Sequence, residues 1–112
     1  MRPELRENLE EALRRGQDIQ QFVAGLTMES YTAGDRTRLA VERSFEIIGE
    51  ALNRSAKSAP ETVDAIRNHR QIISFRNILA HCYDTVEDRI VWGIIEGSLP
   101  ALIEDLRALL HR

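Results

Sequence analysis

Apolar residues recur at steps of three and four through most of the chain, with charged residues between them, and the strict alternation of a half-buried strand is absent. The first run, Leu5, Leu9, Ala12, Leu13, Ile19, Phe22, Val23 and Leu26, predicts a helix from Pro3 to Leu26 with a longer step across Gly16. Pro3 suits the first turn, where its missing N–H costs no intrahelical bond. Thr27 to Gly34 interrupts the pattern, with room for one short turn around Ser30 and Tyr31 and with Tyr31 as exposed loop. A second helix is predicted from an Asp35 cap to Ser58, with Leu39, Val41, Phe45, Ile48, Ala51 and Leu52 inward and Ile47 on a neighbouring line. Gly49 inside that helix costs roughly 1 kcal/mol relative to alanine, which close approach of another backbone would offset.

Pro60 opens a short segment through Asn68, and a further helix follows from His69 to His81 or Tyr83. Asp84 and Thr85 read as a turn with a new cap. The next helix covers Val86 to Glu96, with Ile90, Val91, Ile94 and Ile95 inward and Trp92 as core. Gly97 to Pro100 breaks the chain again, and Ala101 to Leu110 completes it. Four or five such helices pack as an all-α antiparallel bundle, one domain over residues 1–112.

A length of 112 residues suits a single core, and 43% hydrophobic with 29% charged residues is the balance of a folded chain. One cysteine, Cys82, leaves no internal disulfide and no cysteine-based zinc cage, which suits a reducing cytoplasm. The longest apolar region, Ile90 to Ile103, is interrupted by Glu96 and Pro100 and falls short of the roughly 20 residues a bilayer needs. Met1-Arg2-Pro3-Glu4 turns polar too early for a signal peptide. A net charge of −3 gives no global attraction to nucleic acid, so such binding needs a local patch, which Arg67, His69, Arg70, Arg76 and His81 could form.

Candidate chemistry concentrates in Ser74 to Tyr83, which gathers an arginine, a carboxamide, an imidazole and a phenol. Asn77 and His81 are four apart and share a helix face, whereas Arg76 lies about 140° round the axis from His81. One helix therefore aims the two at a common point only if the arginine folds across or the helix end unwinds. Two copies about a two-fold axis would bring both pairs to one cleft. The groups suit cleavage of RNA by its own 2′-hydroxyl: imidazole moves protons near neutral pH, and guanidinium matches phosphate oxygens. No metal or other cofactor is required, and DNA lacks the nucleophile. Structural roles remain open beside this: Arg76 could pair with Glu46 or Glu50, and His81 could act as a cation at a helix C-terminus. A metal site from His81, Asp84 and Asp88 is weaker because two intervals cross a turn. Cys82 as a nucleophile is disfavoured because sequence neighbours on a helix point apart.

Three ordered segments carry a family resemblance. Arg76-Asn77-Ile78-Leu79-Ala80-His81-Cys82-Tyr83, Arg43 to Ala51 around Ile48-Gly49-Glu50-Ala51, and Val91-Trp92 through Leu99-Pro100 resemble HEPN-domain proteins, and more narrowly HepT toxins. The resemblance implies a dimerising helical bundle with Arg76 and His81 catalytic at the interface, a metal-independent endoribonuclease toxin. It implies that a cognate MntA-like nucleotidyltransferase antitoxin modifies Tyr83 with AMP, whose bulk and charge would block RNA. Asn77 would position Arg76, His81 or the scissile phosphate, and Glu46 and Glu50 would orient the basic side chains. His69 stands where many relatives carry tryptophan, and Ser44 where asparagine is frequent. The alternative is a non-catalytic helical module that docks the nucleotidyltransferase. Both readings place the protein in the cytoplasm, as a homodimer able to assemble further, without a membrane partner.

Overall fold

The computed structural model describes residues 1–81 and 86–112. Among them are seven helical segments and no strand: α1 (Pro3–Phe22), α2 (Met28–Ala33), α3 (Asp35–Ser58), α4 (Pro60–Asp64), α5 (His69–His81), α6 (Asp88–Gly97) and α7 (Leu99–Leu110). Five are long, α2 and α4 are single turns or little more, and the all-α bundle expected from the periodicity is what forms. No described helix is long and apolar enough to cross a membrane.

The helix α3 is central, packing on α1 along one side and α5 along another. Its buried stripe is Val41, Phe45, Ile48, Ala51 and Leu52, joined in one cluster by Leu9, Ala12 and Ile19 of α1 and by Ile72, Phe75 and Leu79 of α5. Phe45 and Phe75 meet edge to face with ring centroids 5.4 Å apart. Two glycines set the closest approaches. Gly16 is buried, and a Cβ there would stand 3.1 Å from Ile103 Cγ1 on α7, which explains the break in the apolar spacing of α1. Gly49 meets α5 more tightly still.

Several positions depart from the periodicity. The helix α1 stops at Phe22, and Gly25 at φ 78° turns the chain, leaving Phe22 42% exposed. Leu39 is 67% exposed because it lies about 160° from Val41 round α3, in line with Arg43, Glu46 and Glu50. Ile90 is 49% exposed in the first turn of α6. Asp35 is not the cap of α3: Gly34 holds that place, and Asp35 in the first turn pairs with Arg38. The segment from Pro60 is helical only to Asp64, and Asn68 at φ 67° redirects the chain into α5. The largest departure is Tyr31, which is fully buried. A capping box between Thr27 and Ser30 starts α2, and its last turn stacks Tyr31 against the half-buried Trp92, with ring centroids 5.4 Å apart.

Candidate active site

Regular helix continues through both Arg76 and His81, so the axis geometry holds: the backbone directs them about 140° apart. Arg76 leaves α5 on the flank facing α3, where Gly49 gives its stem room. A Cβ on Gly49 would stand 2.8 Å from Arg76 Cγ and 3.3 Å from the Ile72 carbonyl oxygen, and closer still to Arg76 Cβ. The sequence expectation that another backbone approaches Gly49 is met by α5.

At its far end the guanidinium is held on both sides. Arg76 Nη2 donates to Glu50 Oε1 at 3.3 Å, and Nη1 donates to Asn77 Oδ1 at 2.9 Å. Asn77 lies about 40° round the helix from His81, so one guanidinium nitrogen is bonded to a side chain on the His81 side of α5 while the other is bonded to α3. The Glu50 contact is longer than the 2.7–2.9 Å of strong charge-assisted bonds, and both groups are partly exposed. A pair of that kind is worth at most about 1 kcal/mol, so an incoming phosphate can compete for the same donors.

His81 is exposed in the last turn of α5. Glu46 turns aside, accepting from Arg43 Nη1 at 3.0 Å, so of the two expected carboxylates only Glu50 reaches Arg76. The basic patch is also smaller than its sequence suggests. Arg67 grips Asp105 through Nε and Nη2, both at 3.0 Å, which holds the Asp105 carboxyl below the usual carboxylate range. His69 is turned inward, its Nδ1 2.7 Å from the Ile66 carbonyl oxygen and its Nε2 3.6 Å from Asp64. Cys82, Tyr83 and Asp84 lie outside the described residues. Among those described, no cluster of three or more metal-ligating side chains occurs.

A polar group at the junction of α2, α3 and α6 was not singled out by sequence. Arg38 Nη1 donates to Asp88 at 3.3 Å, while Tyr31 Oη and Arg38 Nε are buried with no partner among the described residues. Burial, then the nearby Asp88, pushes the Glu42 carboxyl up; burial likewise raises the Tyr31 phenol well above its ordinary range. The one available hint was the spacing of Glu42, Glu46 and Glu50 at four-residue intervals.

Comparison with known proteins resolves the family. A family model described as ribonuclease HepT-like matches residues 12–109. The chain belongs to the HepT-like ribonuclease family. A Methanocaldococcus jannaschii protein provisionally designated an RNase is 29% identical over 112 residues, covering 96% of this chain and 88% of the relative. A "Probable ribonuclease HepT" of Thermococcus cleftensis is 29% identical over 75% of this chain and 76% of its own length. A protein of Caldanaerobacter subterraneus subsp. tengcongensis, also provisionally an RNase, is 29% identical over 93% and 92%. No solved structure matches. The resemblance read from three segments is thus confirmed at the level of the HepT-like family, and with it the nuclease class.

Proposed function

We propose that this HepT-like chain is a toxin endoribonuclease in which two copies join their Arg76 and His81 side chains in one RNA-binding cleft. The observation that supports this reading is the Arg76 guanidinium tethered between Glu50 and Asn77, with the exposed His81 five residues further along the same helix. One neutral imidazole takes the proton of the 2′-hydroxyl as that oxygen attacks phosphorus. The bond from phosphorus to the 5′-oxygen breaks, and the protonated imidazole of the second copy supplies the leaving oxygen with a proton. Products are a 2′,3′-cyclic phosphate and a 5′-hydroxyl. Arg76 stabilises the charge gathering on the phosphoryl oxygens, Asn77 and Glu50 position it, and Glu46 orders neighbouring Arg43.

Control belongs to the same proposal. A nucleotidyltransferase antitoxin transfers AMP from ATP to the Tyr83 hydroxyl, the phenolic oxygen bonding to the α-phosphorus as pyrophosphate leaves. This places an anionic phosphodiester close in sequence to His81, where it repels RNA. The support is the Arg76 to Tyr83 sequence pattern and the family match. Growth after induction without the partner tests the reading. Inhibition by the parent that disappears in Arg76→Ala and His81→Ala, while both variants remain folded dimers, is the expected result. Equal harm from all three overturns it in favour of a docking module.

A further inference from the structure

On an acidic chain, α5 is the one described helix with no Asp or Glu that also carries several basic groups, Arg70, Arg76, His69 and His81. The acid-free stretch extends in sequence from Ala65 to Tyr83. The fold then sorts these basic groups. Arg67 is turned to Asp105 on α7, His69 to the Ile66 carbonyl, and Arg76 to the α3 flank. Arg70 is exposed, and no described carboxylate lies within ion-pair distance of it.

Its direction matters. Arg70 and His81 are eleven residues apart, which places them within about 20° of each other round the helix and about 16 Å apart along it. Ser74 and Asn77 lie between them on the same exposed stripe, while Ile72, Phe75 and Leu79 form the opposite, buried one. The stripe thus presents a cation, a hydroxyl, a carboxamide and an imidazole in a row. Arg70 also borders an open groove with Asn68 and His69 at the start of α5, whose lining includes the carboxylate of Asp64 beside His69. A bound strand that continues past Arg70 therefore has space only if it keeps to the Arg70 edge, on the side away from Asp64.

We propose that this stripe is a track for single-stranded RNA and that Arg70 is its remote subsite, gripping a backbone phosphate beyond the linkage being cut. The inference rests on the ribonuclease reading above and adds a substrate-binding residue to it. The span from His81 exceeds one internucleotide step, so the contact exists only for substrates longer than a dinucleotide. A positive side chain facing the phosphate backbone supplies affinity that salt weakens and carries no base preference.

The full chain and its Arg70→Gln and Arg70→Lys variants, each checked for unchanged helicity, separate this from other roles. Cleavage is followed on a long single-stranded oligoribonucleotide and on a ribodinucleotide. Arg70→Gln is expected to raise KM on the long substrate about tenfold, the effect of removing one charge-assisted bond to phosphate. It should leave kcat and dinucleotide cleavage unchanged, and Arg70→Lys should restore most of the affinity. The slope of log affinity against log salt should shrink by about 0.7, the share of a single neutralised phosphate on a single strand. An unchanged KM and salt slope, or an equal loss on the dinucleotide, overturns the subsite. Direct titration with the same RNA keeps the two proposals apart. If the parent binds RNA with an Arg70-dependent salt slope but cuts nothing, the catalytic reading fails and the track stands; binding without Arg70 dependence overturns the track.

Discussion

Gly49 on α3 packs beneath the stem of Arg76 on α5 with no room for a Cβ between them. Alanine there would ordinarily gain about 1 kcal/mol of helix propensity. The steric conflict outweighs it, because the obstructing atoms include the base of the arginine and the Ile72 carbonyl, which cannot move without shifting α5. Gly49→Ala is therefore expected to lower stability by about 1–3 kcal/mol in urea unfolding. It should also depress RNA cleavage more than a core variant of equal instability, since it displaces Arg76 from Glu50.

Glu50→Gln separates positioning from stability. The Arg76–Glu50 pair is partly exposed and contributes at most about 1 kcal/mol to folding. If the carboxylate holds the guanidinium for phosphate, kcat falls by roughly tenfold while the unfolding midpoint barely moves. Glu46→Gln, which leaves Arg76 untouched, should have a smaller effect on kcat.

Much of this was legible in the chain. The bounds of α3, the start of α5 and the close approach at Gly49 follow from local periodicity and spacing, whereas the pairing of Arg76 with Glu46 or Glu50 was left open between the two and falls to Glu50. The failures have physical causes. Tyr31 reads as loop because its helix is only six residues long, and its burial depends on Trp92 sixty-one positions away. Leu39 reads as core because it is apolar, yet its angular position belongs to the polar face. Arg67 reads as part of a basic patch until Asp105, distant in sequence, captures it. Asn77 was among the expected positioning residues, but its grip on Arg76 depends on a side-chain rotamer that spacing cannot specify.

Tyr31→Phe removes a buried hydroxyl that has no partner among the described residues. Because an unsatisfied buried polar group costs about 1–3 kcal/mol, the variant should be as stable as the parent or more so in thermal melts. A substantial loss would show that the hydroxyl is bonded in solution.

Glu42 and Asp105 should give opposite pH dependences. Burial raises the Glu42 carboxyl in the fold, so the native state binds more protons there than the unfolded chain does, and stability falls as pH rises from the ordinary carboxylate range toward the raised value. Glu42→Gln should consequently raise the melting temperature at neutral pH and lose that advantage in acid. Arg67 lowers Asp105, whose contribution is present above its ordinary range and disappears as pH falls through the lowered value. Asp105→Asn should lower the melting temperature at neutral pH and approach the parent in strong acid.

The proposed shared centre is tested most directly by the ends left on a synthetic RNA incubated with the purified protein in the presence of a metal chelator. Catalysis by Arg76 and His81 with the substrate's own 2′-hydroxyl, as proposed, predicts fragments ending in a 2′,3′-cyclic phosphate, no cutting where the target nucleotide is 2′-deoxy, and a loss of at least about a hundredfold in Arg76→Ala and in His81→Ala. Undiminished cleavage by either variant, or cutting of the 2′-deoxy substrate, would contradict it.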